Sequence, residues 1–203
     1  MKDLLKSYIP VEALSYCQEL FQHYPFHFQV TRPRRTKFGD FRVFPDGQVR
    51  ITVNADLNPY AFLITFIHEV AHLVVHRTYR RRPQPHGKAW QTAFQKLMQP
   101  LLTEQVFPAA VLYPLQAYML RPAATTSGSP ALVQALRQYD SQLQSDPVSN
   151  QVSLKDLSEG QSFVFRKKIY VRGALRRTRV VCKEVDSGVS YAILAHAWVD
   201  RCE

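Results

Sequence analysis

Between Phe66 and His76 the chain reads FIHEVAHLVVH, with three histidines at intervals of four and a glutamate directly after the first. Two imidazoles at i and i+4 of a helix stand about 6 Å apart along its axis on one face, where their ring nitrogens can converge on one metal ion. His68 and His72 have this spacing. Glu69 is placed to reach a water activated by such a metal without ligating it, taking its proton as general base and passing it to a leaving amine. Those are the parts of a hydrolytic site. The surrounding run is apolar (Phe62, Leu63, Ile64, Phe66, Ile67, Val70, Ala71, Leu73, Val74, Val75). Polar groups buried there without partners would be costly, which favours a metal over isolated core histidines.

Zinc in a catalytic site takes three protein ligands and keeps one position open. His76 fails as the third, because eight residues of helix put it about 12 Å along the axis from His68. It suits a helix C-terminus, where imidazole favours the dipole. His86, followed by Gly87, can return over the first helix if the intervening segment reverses. An acidic ligand from a later helix, such as Glu104, is the alternative.

The elements that must position these residues follow from periodicity. Tyr8, Val11, Leu14, Cys17, Leu20 and Phe21 predict an amphipathic helix over Asp3 to His23, with Pro10 as a kink or restart. FHFQV alternates as a strand, and FRVFPDGQVRITVN reads as a hairpin around Pro45-Asp46-Gly47, with Val49, Ile51 and Val53 on one face. Asn58 and Pro59 read as N-cap and first residue of the histidine helix, which should end at about His76 or Tyr79. The Arg- and Pro-rich RTYRRRPQPHG is a loop. Ala89, Trp90, Ala93, Phe94, Leu97 and Met98 then mark a second helix, ended by Pro100. Leu101 to Leu120 suits short packed helices. RPAATTSGSP, Arg121 to Pro130, reads as a linker, followed by a helix bearing Leu132, Leu136, Tyr139 and Leu143. From about Val152 three strand-like runs, SFVFRKKIYV, RRTRVVCKEV and VSYAILAHAWV, predict a small antiparallel β module. The expected organisation is α+β: a domain over 1–120, a linker and helix over 121–151, and the β module over 152–203.

The 203 residues suffice for a real core. Three cysteines without a C-x-x-C pair support neither a disulfide framework nor a cysteine zinc ribbon, and reduced thiols fit a cytoplasmic setting. Cys182, His196 and Cys202 lack the close paired spacing of a second metal site. The N-terminus lacks the pattern of a signal peptide, and the longest apolar stretch, Ala61 to Ile67, is too short to span a bilayer, so no membrane partner is expected. The net charge of +10 favours polyanions. Arg32, Arg34, Arg35 and Lys37 precede the hairpin, and Arg77, Arg80, Arg81 and Arg82 lie between the candidate ligands. These eight are the candidate nucleic-acid contacts. The tail residues Arg166, Lys167, Lys168, Arg172, Arg176, Arg177 and Arg179 fit the wet face of a sheet at least as well.

TKFGDFR (Thr36 to Arg42), VRITVN (Val49 to Asn54), HEVAH (His68 to His72) and HGKAW (His86 to Trp90) together resemble the SprT-like family, which includes the Spartan-type proteases. The resemblance covers roughly the first half of the chain. It implies a zincin-like metalloprotease domain, a small antiparallel or mixed sheet over an HExxH helix. Its zinc ligands would be His68, His72 and His86, and its catalytic acid/base Glu69. It further implies an edge strand, Gln48 to Asn54, that offers its backbone to an extended peptide substrate, and action on proteins crosslinked to DNA, single-stranded or damaged, at the nucleoid. The chain lacks the glycine and histidine that follow the second ligand in metzincins, and the four-cysteine ribbon of many bacterial members. Two other functions compete: a nucleic-acid-binding or scaffold protein with a structural zinc, and a metal-dependent hydrolase of a small non-peptide amide. The sequence leaves the oligomeric state open.

Overall fold

The computed structural model describes residues 5–34, 37–81, 83–126, 129–140, 151–195 and 197–202. Internal contacts divide the chain into two units, Met1–Ser141 and Gln142–Glu203. The chain mixes helices and sheets, as an α+β protein does.

In the first unit a short 3-10 turn, Val11–Ala13, leads into helix α1, Leu14–His23. The single helix expected from Asp3 is interrupted at Pro10, which has extended backbone angles (φ −54°, ψ 139°). Three strands follow, β1 (His27–Thr31), β2 (Gly39–Val43) and β3 (Val49–Asn54), in the order β1-β3-β2, with β1 parallel and β2 antiparallel to β3. The β2–β3 hairpin turns where the sequence places it. Gly47 takes φ +81°, and its N–H donates to Phe44 O (2.9 Å).

The expectation that Gln48 to Asn54 forms an edge strand is overturned: β3 is central, and the edges are β1 and β2. The reason lies in its side chains. Val49, Ile51 and Val53 are buried in the core, and Thr52 and Asn54 are buried as well, so β3 is covered on both faces. Such a strand needs neighbours on both sides, whereas the partly exposed β2 tolerates an open edge.

Helix α2, Pro59–Thr78, begins as the sequence indicates: the Asn58 side chain accepts a hydrogen bond from the Ala61 N–H (2.9 Å), with Pro59 in the first turn. It packs against β2, β3 and the next helix, α3 (Lys88–Met98). By length and composition alone α2, longer than the Ala61–Ile67 stretch, would qualify as a membrane span. Phe62, Leu63, Phe66, Ile67, Val70 and Leu73 are nevertheless fully buried in the core.

Helix α4, Ala109–Met119, runs through Pro114 rather than breaking there. Helix α5, Pro130–Arg137, follows the segment read as a linker. The start of that segment is pinned: Gln91 Nε2 donates to Pro122 O (3.0 Å) and the Tyr118 hydroxyl to Ala123 O (2.7 Å). Leu132, Ala135 and Leu136 of α5 join the same core as α2, so the first unit extends well past residue 120. Leu143, assigned to this helix from sequence, lies outside the described residues.

The second unit is a six-stranded antiparallel sheet ordered β4-β9-β5-β6-β7-β8: β4 (Gln151–Ser153), β5 (Ser162–Phe165), β6 (Lys168–Arg176), β7 (Arg179–Glu184), β8 (Ser190–Leu194) and β9 (Trp198–Arg201). Phe163, Tyr170, Val180, Cys182, Ile193 and Val199 fill its own core. Of the unfavoured second metal group, His196 lies outside the described residues. Cys182 is buried, its Sγ 3.6 Å from Val180 O.

Candidate metal centre

Helix α2 carries His68 and His72 one turn apart, as their spacing requires. His86 reaches them from the turn before α3. Gln84-Pro85-His86-Gly87 closes with the Gly87 N–H donating to Gln84 O (3.0 Å), and His86 takes φ +56°. The three Nε2 atoms then form a triangle: His68 to His72 3.2 Å, His68 to His86 3.1 Å, His72 to His86 3.0 Å. They form a group able to hold a metal ion. Three neutral imidazoles cannot satisfy one another in a triangle, since each ring has one donor and one acceptor nitrogen. Nitrogens about 2.0–2.1 Å from a tetrahedral zinc would lie roughly 3.3 Å apart, so the spacing fits such an ion.

Trp90, four residues after His86 on α3, is buried against all three rings, with centroids at 4.6 Å (His68), 5.6 Å (His72) and 4.8 Å (His86). Its indole N–H donates to His68 O (3.4 Å), and Phe94 stacks behind it at 5.0 Å. On the other side Phe41 of β2 stacks on His72 at 6.1 Å. This aromatic packing fixes ring orientation from both flanks. It also favours the neutral form of His68 and His86, the form that binds metal. Burial lowers the His68 pKa to about 3, with further lowering from His72 and His86, and burial lowers that of His86.

Glu69 is buried beneath β2. Burial pushes its carboxyl up to about 8 and Asp40 adds to the rise, while Arg34, Lys37 and the Phe41 N–H oppose it. A carboxyl poised near neutrality suits proton transfer in both directions. The two residues set aside or held in reserve lie elsewhere. His76 is exposed at the end of α2, in contact with Phe41. Glu104 is exposed and accepts a 3.5 Å hydrogen bond from Tyr113, so it is not part of the cluster.

The cationic candidates divide. Arg32, Arg80 and Arg81 are exposed. Arg34 turns inward, its Nε–H donating to Asn54 Oδ1 (2.8 Å), while Asn54 Nδ2 donates to Arg34 O (3.3 Å) and Lys37 O (3.0 Å). Buried Asn54 thereby ties the segment before β2 to the end of β3, and Arg34 serves the fold. Lys37 pairs with Asp40 (2.7 Å), and Arg77 donates to Pro25 O (2.7 Å). Arg35 and Arg82 lie outside the described residues.

Gly39 and Trp90 escaped the sequence reading as parts of the site. Neither bears chemistry of its own. The available signals were a glycine inside a strand, which marks a close approach, and a tryptophan one helical turn after a candidate ligand.

No curated protein and no solved structure matches the chain. Residues 15–111, a segment that runs from α1 into α4 and holds the sheet, all three imidazoles and Glu69, match the SprT-like family, a family associated with zinc metallopeptidases.

Proposed function

We propose that the chain is a zinc-dependent endopeptidase with a zincin-like domain, acting on proteins associated with DNA. The observation that carries this reading is the convergence of three Nε2 atoms beside a buried glutamate on one helix. His68, His72 and His86 would hold the zinc, which when bound supplies Lewis acidity that activates water and polarises a carbonyl. Glu69 takes a proton from the attacking water on its carboxylate and delivers it to the departing amide nitrogen, so it ends the cycle as it began. The free edge of β2 offers main-chain groups to an extended peptide, a mode of binding that tolerates many sequences. Only three ligand groups gather among the described residues, which supports an open coordination position over a closed structural one.

The choice of DNA-associated substrates rests on the family match and on the positive charge. Exposed Arg32, Arg80 and Arg81 would engage phosphates, and the setting we propose is the cytoplasm, at the nucleoid. The test is cleavage of a basic DNA-binding protein by wild type and Glu69→Gln, with and without single-stranded DNA, alongside metal analysis. About one zinc per chain is expected in both proteins. Cleavage should occur in wild type alone and rise with DNA. Cleavage retained in Glu69→Gln would remove Glu69 as the acid/base, and native protein without stoichiometric zinc would remove the reading.

A further inference from the structure

Strand β2 crosses over Glu69 at Gly39. A Cβ built on Gly39 would lie 2.5 Å from Glu69 Oε1, 2.8 Å from Glu69 Cγ and 2.8 Å from Thr65 Cγ2. Conformational freedom does not explain this glycine: among the described residues the glycines with positive φ are Gly47, Gly160 and Gly188, so the backbone at Gly39 is one that other residues adopt. Space is the remaining reason, and a glycine inside a strand marks such an approach.

The partners around the contact differ in how readily they can yield. Gly39 pairs with Val53 of the central strand, which is fully buried, so the strand is backed by core. Thr65 lies one helical turn before Glu69, and its hydroxyl donates to Ala61 O (2.8 Å). Only the carboxylate end of Glu69 can swing aside by rotating its own side chain.

We propose that Gly39 is a positioning residue for Glu69: the bare Cα of β2 is the wall against which the carboxylate lies, and it holds that carboxylate in its working orientation. This rests on the reading of Glu69 as the acid/base of a peptidase. The strand that offers its edge to substrate then also sets the position of the base, so substrate and base share one frame of reference.

The test is Gly39→Ala in the full chain. Zinc content and the visible spectrum of the cobalt(II)-substituted protein should match wild type, because the described contacts of the imidazoles do not include Gly39. KM for a peptide substrate should change less than about twofold, while kcat falls about 10- to 100-fold, the scale of a displaced catalytic group. In a Glu69→Asp background, whose shorter side chain withdraws from the new methyl, Gly39→Ala should cost less than about twofold. Should Gly39→Ala fold poorly, Gly39→Ala/Thr65→Ser keeps the hydroxyl bond, removes the Thr65 Cγ2 clash and replaces it in every comparison. Full kcat in Gly39→Ala, zinc loss, or an equal kcat loss in the Glu69→Asp background would overturn the inference while leaving an active, Glu69-dependent wild type untouched. A wild type with no Glu69-dependent cleavage would overturn the underlying reading as well.

Discussion

His86 sits where a Pro-containing turn with positive φ at its third residue ordinarily wants glycine. A non-glycine residue held there stores strain, and strain of this kind gathers at functional sites. His86→Gly should therefore abolish stoichiometric zinc yet leave the metal-free protein as stable as metal-free wild type, or up to about 1 kcal/mol more stable, by urea unfolding. A metal-free variant less stable by more than about 1 kcal/mol would show that the packing of the imidazole against Trp90 outweighs the backbone strain. The pair of His68 and His72 was legible because helical spacing alone brings them together, and His86 because a loop reversal was the natural route back. Trp90 and Gly39 were less so, since packing against a ring or making room for a carboxylate is marked only by a tryptophan one turn after a ligand and by a glycine inside a strand. Arg34 is a different case. Its charge suggested phosphate, but its bonds to buried Asn54 turn it into a tie within the fold.

Among the elements, α2 is the one on which everything hangs, and it is secured at a distance from its histidines. Asn58 caps its first turn, and the same side chain donates to Leu136 O (2.8 Å) and Asp140 Oδ1 (2.7 Å), fastening α5 to the start of α2. Asn58→Ala removes a cap and the two hydrogen bonds that tie α5 to α2, so a loss of about 2–3 kcal/mol in urea unfolding is expected, with zinc stoichiometry unchanged. A shift of under about 0.5 kcal/mol would mean that α5 holds without it. The helix boundaries were legible because Asn-Pro and an apolar run are local signals. The order of strands was not: β3 alternates like an edge strand in its Val49, Ile51 and Val53, and the burial of Thr52 and Asn54 that makes it central comes only from tertiary packing. The β5–β6 turn was missed for another reason. Arg166 and Lys167 both take positive φ (53° and 67°), a conformation the sequence signals only when glycine or asparagine occupies it.

At the scale of the whole molecule, charge and protonation set the conditions under which the chain works. The Glu69 pKa, raised by burial from 4.5 to about 8 in the metal-free chain, means that the folded state holds a proton the unfolded state releases. Its stabilising contribution is complete below pH 4.5 and is lost as pH rises through 8. Metal-free wild type should therefore fall behind metal-free Glu69→Gln by a few kcal/mol, as an order of magnitude, between pH 5 and pH 9 in parallel urea titrations. A constant difference across that range would contradict the burial argument. The excess positive charge is uneven: Met1–Ser141 carries 16 Lys and Arg against 9 Asp and Glu, and Gln142–Glu203 carries 10 against 7. Several cations of the first unit are held by internal partners: Arg34 by Asn54, Lys37 by Asp40 and Arg77 by Pro25 O. Exposed Arg80 and Arg81, in the connection that delivers His86 to the other imidazoles, are thus the strongest candidates for phosphate contact. Changing Arg80, Arg81 and neighbouring Arg82 to glutamine should leave zinc content intact and lower the slope of log affinity against log salt for single-stranded DNA by about two, since each lost contact removes about 0.7. Stimulation of cleavage by DNA should fall with it. An unchanged slope with full stimulation would assign the connection to solvent and move the search for a DNA contact to the cationic turns of the second unit.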